Sequence, residues 1–336
     1  MGSRRPGDAE NDGRLLSVVW QTGFRTESLR DPVIVAVQFP ILALLGCLWP
    51  LYLFAAPLPV LVDGAWLSQN SEKVVVLDVR SRAEFMAGHW PQARWAGFKE
   101  RAWQVDRYGL PGYLPDGNKL AELLGSLGLE GDESVIVVGS VRHPRQVAEA
   151  ARVVWSLMMA GVQRVALLDG GIESLPAHDL VEGASSVDPK VCSISLQPDL
   201  LADSSRVEDL LGNNRPVIDL RPTSYFEGYR RDPQVAEGGT IYDGVGIPPE
   251  RLLDGETGGF LSAEIIQLEF ERYDIQTRGA LATFSDTGVW AALGWFVLHQ
   301  ILQNPEARLY DGSLVEWIDW GGEMHDSTDD MGGPIG

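Results

Sequence analysis

The sequence predicts an α/β fold in which a mainly parallel sheet flanked by helices occurs twice. Three observations predict it. Short apolar runs at residues 74–78, 134–139 and 165–169 each end in a polar turn. The segment between the last two carries Val147, Ala150, Ala151, Val154 and Leu157 at helical spacing. The same series of strand, helix and strand then returns in the second half of the chain. Near-continuous apolar strands alternating with helices belong to a parallel sheet covered on both faces. Two copies of one unit account for the whole series.

The chain opens with a polar leader, residues 1–31, and residues 32–62 carry no charged side chain. About 20 apolar residues span a bilayer, so one transmembrane helix is expected over residues 32–58. Pro40 and Pro50 would kink it, which membrane helices tolerate, and Trp49 and Tyr52 suit its interfacial end. Arg14, Arg25 and Arg30 precede it and Lys73 follows it. That bias places the N-terminus in the cytoplasm and the bulk of the chain in the periplasm of a bacterium. A cleaved signal peptide is the alternative, disfavoured by the length of the run and of its leader. The first α/β unit is expected over residues 60–178 and the second over 215–320. Between them, residues 179–214 are polar, with Pro189, Pro198 and the turn Gly212-Asn213-Asn214, and read as a linker. A flexible tail is expected over residues 321–336. Within the second unit, 216–221 echoes 76–80, 279–284 echoes 134–139, 289–302 echoes 147–160, and 307–312 echoes 165–170.

Charge and composition exclude several functions. The 27 Lys and Arg stand against 47 Asp and Glu, a net charge of −20. Phosphate backbones need basic clusters, so nucleic acid is not an expected partner. The two cysteines, Cys47 and Cys192, exclude a disulfide framework and an all-cysteine metal centre. The five histidines have no ligand spacing. Neither a metal nor a cofactor is expected.

The chemistry-bearing segment is residues 280–291. A short apolar strand passes through a tight loop, Ser285, Asp286, Thr287, Gly288, Val289 and Trp290, into a helix. Backbone N–H groups and the positive end of a helix dipole then converge on one point. Such a loop can hold a small anion or a charged sulfur nucleophile.

Ordered motifs in both halves resemble the rhodanese family of thiosulfate/3-mercaptopyruvate sulfurtransferases, in its tandem two-domain form. In the first half they are Leu77-Asp78-Val79-Arg80, Gly88-His89-Trp90-Pro91 and Leu168-Asp169-Gly170-Gly171. In the second they are Ile218-Asp219-Leu220-Arg221, Tyr225-Phe226-Glu227-Gly228 and the segment from Tyr310 to Trp317. The resemblance covers residues 60–320. One motif is degraded, to Gly238-Gly239-Thr240-Ile241 followed by Gly246-Ile247-Pro248.

In that family a cysteine thiolate at the head of the second-half loop takes a sulfane sulfur from a donor and passes it to an acceptor. The resemblance puts Ser285 at that position. A thiol is ionised by a helix N-terminus and stores sulfur as a persulfide; a serine hydroxyl does neither. Serine as an oxygen nucleophile needs an adjacent base, and His299 lies more than two turns along the helix. The resemblance also implies that Asp286 opposes the family's anionic donors and that Trp290 replaces a small residue. The first half's loop, residues 139–145, has no cysteine either; its Arg142, His143 and Arg145 form a basic cluster at a strand end. Asp78 with Arg80, Asp219 with Arg221, and His89 are read as structural. Trp155, Trp295 and Trp317 are assigned to the core or domain interface, and Cys192 to a half-buried linker. The expectation is a membrane-anchored member without sulfurtransferase activity, an interaction module or accessory subunit beside a membrane-protein partner. The alternative is a sulfurtransferase working by a non-standard route.

Overall fold

The apolar runs form strands in the computed structural model, which describes residues 57–325. The first half contains β1 (Leu61–Val62), α1 (Gly64–Asn70), β2 (Val75–Asp78), α2 (Arg82–Ala87) and β3 (Arg94–Trp95). A hairpin of β4 (Val105–Arg107) and β5 (Leu110–Tyr113) follows, then α3 (Gly117–Ser126), β6 (Ser134–Val138), α4 (Pro144–Met159) and β7 (Arg164–Leu168). Helix starts obey capping chemistry. Asp63 and Asp116 accept from backbone N–H groups of the first turn, and Ser81 and Glu84 close a capping box. The strands form a parallel sheet in the order β1-β7-β6-β2-β3.

The second half contains β8 (Leu201–Ala202), α5 (Ser204–Gly212), β9 (Val217–Asp219), α6 (Thr223–Phe226), β10 (Thr240–Ile241) and β11 (Val245–Gly246). Then come α7 (Ala263–Arg272), β12 (Leu281–Phe284), α8 (Val289–Trp295), β13 (Ala307–Tyr310), α9 (Ser313–Asp319) and β14 (Met324–His325). Its parallel sheet has the order β8-β13-β12-β9-β11, which repeats the first sheet strand for strand. α8 continues as a π-helical stretch, Phe296–Ile301.

Two boundaries differ from the sequence expectation. The linker is shorter than 179–214, because Leu201 and Ala202 pair with Leu309 and Tyr310, and Asp203 caps α5. A two-residue edge strand followed by a polar-faced helix carries almost no apolar period. The remaining connection is laced to the first half by backbone bonds, Lys190 N–H to Gly125 (2.9 Å) and Ser195 N–H to Ala160 (2.8 Å) among them. The tail is ordered further than expected, since Met324 and His325 pair antiparallel with β10. The leader and all of the expected membrane anchor before residue 57 lie outside the described residues. Among the described residues no helix is long and apolar enough to cross a membrane.

The halves share one core. α4 and α8 pack together, and small side chains (Ala148, Ala151, Ala291 and Ala292) leave room for Trp155 and Trp295, both fully buried. This places the start of α8, and the loop before it, against the first half.

Candidate functional site

β12 enters α8 through residues 285–288 at the C-terminal edge of the second sheet, where open α/β sheets bind ligands. Gly288 makes the turn in the left-handed region (φ 78°); a Cβ there would lie 2.7 Å from Arg152 Nη1. The loop is tied to the start of α9. Ser285 N–H donates to Ser313 Oγ (3.1 Å), while the carbonyls of Ser285 and Asp286 accept from Leu314 (3.0 Å) and Val315 (3.2 Å). The N–H groups of Asp286, Thr287, Gly288 and Val289 find no acceptor among the described residues.

Ser285 is 0% exposed and its Oγ has no hydrogen-bond partner. No base touches it. Asp286, its neighbour, turns away to Arg221, with Nη1 to Oδ1 at 3.0 Å. This corrects the expectation that Asp286 faces an incoming anion: the carboxylate is buried in an ion pair. Burial pushes the Asp286 carboxyl up to about 6, against the opposing pull of Arg221 and with further repulsion from Asp219. Burial opposes the charge on Arg221, but Asp219 and then Asp286 outweigh it and hold the guanidinium firmly protonated. Arg221 also binds Asp219 (2.6 Å) and the Gly239 carbonyl (2.6 Å). The first half repeats that lock with Arg80 on Asp78 (2.6 Å) and the Gly88 carbonyl (2.7 Å). Both pairs are structural, as expected; the reach of Arg221 into the loop is specific to the second half.

Two features of the site escaped the sequence. The fully buried Arg152, from α4, pairs with Asp311 and donates to the carbonyls of Gly112 (3.2 Å) and Gly288 (3.4 Å). A lone arginine in an apolar helix segment is a signal that could have found it. The β4–β5 hairpin lies over the loop. Gln104 Nε2 donates to Gly112 O and Thr287 O, both at 2.6 Å, and a Cβ on Gly112 would meet Thr287 Cβ at 2.7 Å. Nothing in the sequence around Gln104 marks that role. Together these contacts bury residues 285–289.

Of the expected cluster Arg142, His143 and Arg145, it is Arg145 that meets the second-half loop, lying over the Trp290 ring at 5.5 Å. It also faces Glu149 at 3.8 Å. Arg142 pairs with Glu173 (3.0 Å) and Glu84 (3.8 Å), and His143 precedes α4 on the exposed surface. His143 and Arg145, but not Arg142, border a first-half cavity of about 350 Å3 whose walls also carry Lys99, Glu84, Glu100 and Glu149. Mixed charge, not a basic patch, results. His299 stacks on Trp295 at 4.8 Å, and burial lowers its basicity. Cys192 Sγ would lie 3.8 Å from a Cβ on Gly131, before β6, at the opposite edge of the first sheet from loop 139–145. Burial holds its thiol up.

Residues 63–177 match the rhodanese-like domain. The chain is 28% identical over 264 residues to the 3-mercaptopyruvate sulfurtransferase of Rattus norvegicus, covering 76% of this chain and 84% of that protein. It is 25% identical over 307 residues to a putative thiosulfate sulfurtransferase of Synechococcus elongatus, covering 85% and 91%. Among solved structures, the anaerobic ergothioneine biosynthesis enzyme of Chlorobium limicola, bound to trimethyl histidine, superposes with a TM-score of 0.68 at 18% identity, covering 80% of this chain and 70% of that one. That likeness concerns the fold alone.

Proposed function

Because the chain belongs to the rhodanese family, we propose that it is a tandem rhodanese-like protein that has given up sulfur transfer and serves as a membrane-anchored interaction module. The observation that carries this reading is Ser285, a buried hydroxyl without a base at the head of the loop. Sulfur transfer needs a nucleophile that ionises and then holds a second sulfur, which oxygen cannot do. Cys192, the cysteine of the described residues, lies at a different edge of the fold and cannot substitute. The hairpin over the loop and the Arg221–Asp286 pair fit a loop kept for structure. The uncharged run before residue 57 supports the anchor, and the domains would then face the periplasm and a membrane-protein partner.

A second reading rests on the relatives' names: a working sulfurtransferase that uses thiosulfate or 3-mercaptopyruvate by a different route. One assay separates the two. The purified protein is given either donor with cyanide, and thiocyanate is measured. The uncatalysed rate is expected. Turnover above it that disappears in Ser285→Ala would overturn the loss of chemistry. Resistance of the protein to alkaline extraction from membranes tests the anchor.

A further inference from the structure

A cavity of about 160 Å3 lies on the first half, and none of residues 139–145 or 285–290 lines it. Its walls come from α2, from Trp95 on β3 and the turn after it, from the end of α3, and from residues 184–187 of the connection between the halves. That connection is fixed in place. Gly183 N–H donates to Met86 O (3.0 Å), and a Cβ on Gly128 would lie 2.9 Å from Val187 Cγ1. One water needs roughly 10–15 Å3, so the space admits a ligand of several heavy atoms.

Two of the lining side chains are arginines, and neither is committed. Arg82 lies 5.1 Å and Arg101 4.9 Å from the centre of the Trp95 ring. Among the described residues neither guanidinium enters an ion pair or donates a hydrogen bond. The buried arginines differ: Arg80, Arg152 and Arg221 are each held by a carboxylate. No carboxylate lines this cavity. The neighbouring one, Glu100, borders the other first-half cavity and meets Arg82 at its backbone N–H (3.5 Å). Two like charges held against one ring repel, and an anion beside them offsets that. In a chain of net charge −20, the pair reverses the field locally.

A second observation points to a missing acceptor. Arg101 and Ser185 both line the cavity, and Arg101 Nε and Ser185 Oγ are buried with no hydrogen-bond partner. Buried polar groups are normally satisfied. The other polar lining groups are already spent: Trp95 Nε1 on Arg80 O (3.1 Å) and Ser126 Oγ on Leu123 O (2.7 Å). Two guanidiniums and a hydroxyl without acceptors call for a group made of acceptor oxygens alone. The guanidinium fork matches phosphate oxygens, and two cations suit a dianion better than a monoanion. Met86 and Val187 add an apolar surface beside the charges.

We propose that this cavity binds a small phosphate monoester, with its oxyanion on Arg82, Arg101 and Ser185 and its alkyl group against Met86 and Val187. The site does not depend on whether the second-half loop transfers sulfur.

Calorimetric titration of the purified full chain with methyl phosphate tests it, with inorganic phosphate and the neutral trimethyl phosphate as comparisons. Saturable binding of methyl phosphate, weaker binding of inorganic phosphate and none of trimethyl phosphate are expected. Arg101→Gln should weaken binding about tenfold and the more exposed Arg82→Gln about threefold. Neither side chain is held in an ion pair, so an unchanged thermal midpoint verifies that each variant is folded. Equal binding of trimethyl phosphate, tighter binding of inorganic phosphate than of methyl phosphate, unchanged affinity in both variants, or no saturable binding at millimolar ligand would each overturn the assignment.

Discussion

Arg152 holds three segments together, and its removal has a calculable cost. The side chain is fully buried, pairs with Asp311, and donates to Gly112 on the hairpin and Gly288 on the loop. Its guanidinium also lies 4.4 Å from the Trp155 ring. Asp311 in turn accepts from Leu114 N–H at 2.8 Å. Arg152→Met keeps the volume and leaves the Asp311 carboxylate buried without a cation. Breaking a buried pair from one side costs about 3–5 kcal/mol, a large share of the roughly 5–15 kcal/mol that holds a domain folded. At about 2–4 °C per kcal/mol for a domain of this size, the thermal midpoint should fall by roughly 6–20 °C. Arg152→Met with Asp311→Asn removes both charges and should recover part of the loss, a coupling of about 2 kcal/mol. Urea unfolding of the wild type, both single variants and the double variant measures the cycle. If Arg152→Met stays within about 1 kcal/mol of the wild type, or the double variant is no more stable than it, the bridge is not what couples the halves.

Three further outcomes follow from the same contacts. Gly288→Ala forces a side chain into a left-handed residue (φ 78°) 2.7 Å from Arg152 and 3.0 Å from the Asp311 carbonyl; it should cost about 2 kcal/mol or more in urea unfolding. Gly109→Ala has a similar φ of 82° but nothing within 4 Å, so its cost should stay near 1 kcal/mol, and equal losses would rule out the contact explanation. Asp286 has its carboxyl raised from 3.8 to about 6, so the folded state binds the extra proton within that window. Its contribution is fully present below pH 3.8 and is lost as pH rises through about 6, so the wild type should lose up to about 3 kcal/mol relative to Asp286→Asn across it; parallel stability–pH curves would refute the shift. In Ser285→Cys the new thiol should be alkylated slowly in the folded protein and faster once Gln104→Ala loosens the hairpin, read by peptide mass spectrometry; fast labelling of the single variant would show the loop to be open.

The parallel sheets were legible because both faces are covered. Strands such as 134–138 and 281–284 then read as near-continuous apolar runs, and the repeat of that pattern gave the duplication. Edge strands of two residues, Leu201–Ala202 and Val245–Gly246, hold too few side chains to show any period. The hairpin was missed for a similar reason: its turn places Tyr108 and Gly109 at positive φ (57° and 82°), a conformation that the dipeptide permits but does not announce. Ser285 stands out in the sequence because the family motif assigns it a place. Its enclosure does not, since Gln104 and Thr287 stand 183 residues apart and meet only through tertiary packing.

Asp286 shows how the loop's chemistry is tied to the fold. As a residue in a loop it reads as a repulsive charge set in the path of an anion. In the fold, that charge is neutralised by Arg221, which Asp219 already holds in place. A guanidinium engaged by two carboxylates and the Gly239 carbonyl has little left to offer an incoming anion. Any anionic donor would therefore have to displace Asp286 from a buried pair, and removing one partner from such a pair is costly. On the proposed reading, in which the chain has given up sulfur transfer, the barrier to regaining it is electrostatic as well as chemical. Restoring a cysteine at position 285 would supply the nucleophile and leave Arg221 committed, so activity requires release of Asp286 too. Ser285→Cys should stay near the uncatalysed rate in the thiocyanate assay, and Ser285→Cys with Asp286→Ala and Gln104→Ala should exceed it. Full turnover by the single variant would show that the Arg221–Asp286 pair does not guard the loop.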